Sequence, residues 1–327
     1  MTVFDVISQE DLSIMPSLSD ETYIWTDYCE LLCLCNPEKE ISIEDIVKVF
    51  IQFQDLIPED VDNENNGVIN QNKLTRKREK AVSVLSDAFA TLKSRRDILG
   101  DKYPFVIDGN NQILLPNIEI TGATKTYIIL LLASHLNYVK DLTIRHKLTS
   151  DFEVISLAVM RKIFPQAEVK LFGSSNSNRS LKQSDKYSNT KLKDKILELA
   201  NTINTPATEH VRSIPDNNTG DGGIDIVGVV NLNDKRSSVP IFFAQCACSK
   251  EKWTQKQDST ALKKWGKWIE LWQNSVQRCM FVPFSYANNT SEWVNVTDIT
   301  ENVVVDRYRI MSFIDKNSKI YFETLAD

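Results

Sequence analysis

No run of about 18 or more uninterrupted apolar residues occurs in the 327-residue sequence, so it offers no candidate for a helix that crosses a bilayer. The first residues, Met1-Thr2-Val3-Phe4-Asp5, lack the basic, apolar and small-residue zones of an export signal. A cytoplasmic protein with no membrane partner is therefore expected. Histidine is scarce: His135, His146 and His210 form no ligand spacing, and no cysteine has a nearby histidine to activate it as a nucleophile. Six cysteines in a chain of this size and expected compartment read as reduced thiols. Cys29, Cys33 and Cys35 lack a matched second cluster, and packing in a helix accounts for them better than zinc does.

Charge is present but unevenly spread. The whole chain is net −6, while its first 70 residues hold 16 acidic and 2 basic side chains, a balance of −14 that leaves +8 for the rest. Such asymmetry suggests different partners for the two parts, with the acidic part docking a protein or self-associating. Keeping the amino-terminal part soluble is the simpler role for the same charge.

Hydrophobic periodicity predicts a mainly α-helical amino-terminal domain over residues 1–149 and an α/β domain over 150–327. In the first, two helices fit between Asp20 and Gln54 with a break near Asn36-Pro37, and Ser42 with Asp45 makes a capping pair. Pro58 to Asn72 reads as a loop, and Lys73 to Arg96 as a long helix whose basic start opposes the helix dipole. A small hairpin around Asp108-Gly109 and a buried helix from Thr126 to Tyr138 follow. The second domain reads as a helix over 150–160, a strand over 167–172, a polar insertion over 174–190 and an amphipathic helix over 191–204. Next come strands at 224–230 and 239–245, a helix bearing Trp265, Trp268 and Trp272, strands at 278–283 and 303–305, and a last helix.

Gly220-Asp221-Gly222-Gly223-Ile224-Asp225 places a carboxylate at the entry to one apolar strand, and Gln245-Cys246 places oxygen atoms at the end of the next. Mg²⁺ prefers hard oxygen ligands and keeps several waters, so one or two carboxylates with an amide or backbone oxygen suffice. Asp225, the Gln245 amide and the Cys246 carbonyl are the candidate metal ligands, in chemistry that would hydrolyse a phosphodiester. An ordinary turn, capped by Asp225, is the alternative.

These motifs resemble the restriction-endonuclease-like (PD-(D/E)XK) superfamily, in the branch similar to Mrr-type nucleases, where a Gln replaces the usual second acid. The resemblance covers roughly Asp151 to Arg278. It implies a core of central mixed sheet flanked by helices, and a Mg²⁺-dependent endonuclease, with Mn²⁺ as possible substitute, that cuts double-stranded DNA in defence against foreign or phage DNA. It also implies Glu153 as an auxiliary acid. The pattern expects a Lys two residues after the Gln, where this chain has Ala247. Lys256, with Trp253 to anchor its helix, is the first replacement and Lys250 the second. Arg212, Lys252, Lys182 and Arg179 are candidate contacts to DNA phosphates. An inactive nuclease-like module that binds DNA or assembles a complex is the alternative that Ala247 favours.

Overall fold

A computed structural model of the chain describes residues 7, 12, 14–55, 66–109, 112–114, 121–173, 186–188, 191–272, 275–299 and 301–324. The amino-terminal half begins with helix α1 (Thr22–Cys35), short strand β1 (Glu40–Ser42) and helix α2 (Ile43–Asp55). The chain breaks between α1 and α2 where Asn36 and Pro37 stand. The Ser42 hydroxyl oxygen accepts from the Asp45 amide at 3.2 Å while the Asp45 carboxylate accepts from the Ser42 amide at 3.2 Å, a reciprocal cap.

Helix α3 (Asn66–Leu99) is longer than its apolar stripe, so residues 66–72, read from composition as loop, are helical. Its basic start is solvated, with Arg76, Arg78 and Lys80 exposed. Strands β2 (Val106–Ile107) and β3 (Gln112–Leu114) form the expected hairpin, and β3 pairs also with β1. Helix α4 (Gly122–Ala133) is buried nearly all round, as its Ile128 to Ala133 run requires.

Helix α5 (Leu142–Ile163) leads into a five-stranded sheet formed by β4 (Glu168–Leu171), β5 (Ile226–Val229), β6 (Ile241–Cys246), β7 (Val276–Phe281) and β8 (Val303–Val305). The strands lie side by side in chain order, antiparallel from β4 to β6 and parallel from β6 to β8. Helix α6 (Leu192–Thr202), two short helices, α7 (Trp253–Lys256) and α8 (Leu262–Trp265), and α9 (Arg307–Ser312) complete the described α-helices.

Alternation along the strands distributes side chains to both faces. Ile226 and Ala244 join a core built with α4, α5 and α9, whereas Val227, Val229, Ile241 and Phe243 pack with Ile196 and Leu199 of α6 and with Trp265. The sheet is thus covered by helices on both faces, a mixed α/β arrangement. The single tryptophan-bearing helix expected near 265 is replaced by short turns. Trp265 is fully buried, Trp268 packs edge-on against it, and Trp272 is exposed, so the three do not share one buried stripe.

The division expected at residue 149 falls inside α5, one 22-residue helix. A common apolar core takes in Leu31 of α1, Phe89 of α3, Leu130 of α4, Phe152 of α5, Ile226 of β5 and Ile310 of α9. Burial therefore joins the two halves where composition appeared to part them.

Candidate functional site

Asp225 lies immediately before β5 and its backbone is fixed on both sides. Its amide donates to Ala244 O at 2.9 Å, and its carbonyl accepts from the amides of Phe172 at 2.7 Å and Gly173 at 3.1 Å. The preceding turn depends on glycine. Gly222 and Gly223 have φ of +64° and +84°, and a Cβ at Gly223 would lie 2.5 Å from the Ser259 Cβ. Asp221 closes the turn by accepting the Gly223 amide at 2.6 Å.

The Asp225 side chain is 5% exposed and its two oxygens face different surroundings. Oδ2 accepts from Gln245 Nε2 at 2.8 Å and from the Cys246 amide at 2.6 Å. Oδ1 points to the end of β4, where a Cβ on Gly173 would lie 3.2 Å from it and 3.4 Å from Glu153 Oε2 on α5. The missing side chain of Gly173 leaves a cradle on which two carboxylates converge. Burial, then the Glu153 and Asp221 carboxylates, hold the Asp225 pKa well above the usual carboxylate range, while the Cys246 amide and Lys256 oppose the rise.

Two of the expected ligands enter differently from their sequence reading. Gln245 turns its amide nitrogen to Asp225, and the contact of Cys246 with the carboxylate is made by its N–H, because a carboxylate oxygen attracts donors. Both groups fix Asp225 Oδ2. Asp225 Oδ1 and Glu153 Oε2 are left as the converging pair. Among the described residues no cluster of three or more His, Cys, Asp or Glu side chains has metal-holding geometry. Two converging carboxylates still fit Mg²⁺, which needs only one or two and fills its shell with water and phosphate.

Lys256 ends α7, whose Trp253 is buried against Tyr286 with ring centroids 4.9 Å apart, so the expected anchor is in place. Its charge reaches Asp225 and Cys248. Lys250 is a correction: its amine lies 3.5 Å from Asp27 Oδ2 and 3.1 Å from His135 Nε2, drawn to a buried carboxylate of α1 rather than to Asp225. Ala247, where the pattern expects Lys, is fully buried beside Trp253 and Met280. Lys252 is exposed before α7, and Arg212 is exposed on the turn Glu209–Ser213 that packs near α6. Arg179 and Lys182 lie outside the described residues.

Sequence reasoning missed Lys195. It sits on α6, 1% exposed, with its amine donating to Phe172 O at 3.0 Å. Burial lowers its pKa, and the carboxylates of Asp221, Glu153 and Asp225 offset part of that effect, which locates its charge at the same cluster. A legible signal existed: Leu192, Lys195, Ile196 and Leu199 share one helical stripe, and a lysine in an apolar stripe calls for a buried partner. Lys264 adds a third cation by donating to Gly222 O at 2.6 Å.

No protein-family model matches the chain, and no curated protein or solved structure matches it either. The functional reading rests on this constellation and on the motif resemblance. No helix among the described residues is long and apolar enough to cross a membrane.

Proposed function

We propose that the chain is a Mg²⁺-dependent endonuclease that hydrolyses phosphodiester bonds of double-stranded DNA. The observation that carries this reading is the convergence of Asp225 Oδ1 and Glu153 Oε2 on the space beside Gly173, with Gln245 and Cys246 clamping the other Asp225 oxygen. The restriction-endonuclease-like fold remains part of the proposal, as does a role against foreign or phage DNA, which rests on the resemblance alone.

Asp225 and Glu153 would hold Mg²⁺ or Mn²⁺, and the bound ion would neutralise phosphate charge and acidify a water. Gln245 and the Cys246 amide keep the Asp225 carboxylate in one orientation. Lys195 and Lys256 would supply the positive charge that Ala247 does not, either to a developing phosphorane or to the departing oxygen. Lys252 and Arg212 stand in solvent where backbone phosphates would be met.

Nicking of supercoiled plasmid tests the reading. Activity should require Mg²⁺ or Mn²⁺ and fall by about 100-fold or more in Asp225→Ala and in Lys195→Met, with the Lys250 amine dispensable. Cleavage that survives Asp225→Ala removes the assignment. Burial of Ala247 in an apolar cluster favours a second reading, an inactive core that binds DNA. Salt-dependent binding of duplex with no nicking in either metal is its signature.

A further inference from the structure

A second polar cluster lies away from Asp225, between α1, α3, α4 and α9. Asp27 and Glu30 of α1 are fully buried and pair with two fully buried guanidiniums. Arg95 lies 2.7 Å from Asp27 and 2.9 Å from Glu30, and Arg307 lies 3.1 Å from Asp27 and 3.4 Å from Glu30. Two carboxylates and two guanidiniums already balance. Lys250 is a third cation on this neutral set, 3.5 Å from Asp27.

Its other partner cannot take up the excess as an ion. His135 holds its Nδ1 2.8 Å from Leu131 O, so Nδ1 carries the proton and Nε2 is the acceptor that faces the Lys250 amine at 3.1 Å. Burial, followed by the nearby Lys250 charge, lowers the imidazole pKa to about 3, which keeps it neutral. Among Asp27, Glu30, Arg95, Arg307 and Lys250 the cations therefore outnumber the carboxylates by one wherever Lys250 is protonated, with buried Asp306, whose oxygens take the Tyr286 and Arg309 amides, acting on Arg307 from outside these ion pairs.

Lys250 also borders a cavity. Lys250 and His135 line a cleft of about 520 Å³ together with Ile14, Met15, Leu136 and Tyr138, a volume within the range of small-molecule sites. Asp20 and Glu251 also border it, but both are exposed, where water and salt screen them, whereas the Lys250 side chain is 14% exposed. We propose that this cleft binds a small organic anion, a carboxylate or phosphate ester with an apolar body, whose charge is met by the Lys250 ammonium. The apolar body would cover Ile14, Met15 and Leu136, and the anion would supply the counter-charge that Asp27 alone cannot.

The site has a pH signature. Burial, opposed by Asp27 and reinforced by Arg307 and Arg95, lowers the Lys250 pKa to about 8. The groups that face the amine are Asp27 from α1, Arg95 from α3, neutral His135 after α4 and Arg307 from α9, with Asp20 and Glu251 at the mouth. Of these, Lys250 is the group that loses charge just above neutrality. Anion binding is strongest well below pH 8, where Lys250 is charged, and weakens as pH rises through that value.

Calorimetric titration of the full chain with phenyl phosphate, benzoate and neutral benzamide tests this. One or both anions should saturate a single site, benzamide should not, and phenyl phosphate against benzoate tells which head group is preferred. Lys250→Met should weaken anion binding at least about tenfold, and wild-type affinity should fall at least about tenfold between about pH 7 and pH 9.5. Should Lys250→Met fail to fold, the wild-type pH series decides alone. Absence of anion binding at millimolar concentration, or binding indifferent to both the substitution and pH, overturns the proposal. Plasmid nicking does not enter this test.

Discussion

At the scale of single residues, the informative fact is that Asp225 is costly to keep. A buried carboxylate that feels the charges of Glu153 and Asp221 is held at a raised pKa, so its ionised form opposes folding at neutral pH. Replacing it by Asn keeps the shape and an acceptor for the Cys246 amide. Asp225→Asn should therefore raise stability by about 1 kcal/mol, near 2–4 °C in Tm for a large domain, while it removes activity. The sign with pH follows. A group whose folded pKa is raised binds more protons folded than unfolded, so its wild-type penalty is full above the raised pKa and vanishes below the unfolded value of about 4. The stability gap between the two proteins should narrow as pH falls from 8 towards 4 in urea titrations. A constant gap, or a less stable variant, would show that Asp225 is an ordinary turn residue.

Elements decide which residues meet, and here the turn before β5 matters most. It carries two consecutive glycines at positive φ because the chain must reverse against Ser259 and Trp265 and still deliver Asp225 to the β4–β5 pairing. Gly223→Ala should cost about 1–3 kcal/mol by denaturant unfolding and lower activity further by shifting Asp225. Full retention of both would mean that the turn is not a positioning device.

Most of these elements were legible. Strand alternation placed β4, β5 and β6, and two short motifs put Asp225 and Gln245 on neighbouring strands, where one hydrogen bond now joins them. What was not legible is which atom each residue presents: Gln245 offers nitrogen because the group it meets is a carboxylate oxygen, and Lys250 turns to Asp27 and His135, partners more than 100 residues away in the chain. Tryptophan spacing misled for a related reason. Trp265 to Trp272 suggested a helix, but the chain turns after Gly266 and only Trp265 enters the core.

For the whole molecule, charge asymmetry along the sequence suggested two bodies, and packing instead joins them. Asp27 and Glu30 from the acidic stretch are neutralised inside the fold by Arg95 and Arg307, and α5 runs through the expected boundary. Acidity in the first 70 residues is thus in part structural, and docking of a protein partner would have to use the exposed remainder, such as Glu44 and Asp45 of α2. The candidate nuclease site meets the chain at Cys246, and the Lys250 cleft is lined by Cys248 to Glu251, so one short segment after β6 serves both.

The central claim is that Asp225 and Glu153 together hold one hard cation, and titration of Mn²⁺ into the protein with a short DNA duplex, read by electron paramagnetic resonance, tests it most directly. One Mn²⁺ bound per chain, competed by Mg²⁺, released as pH falls and abolished by either Asp225→Ala or Glu153→Gln, is the expected result. Mn²⁺ binding that is unchanged in both variants, or no bound ion in the wild type, would contradict it.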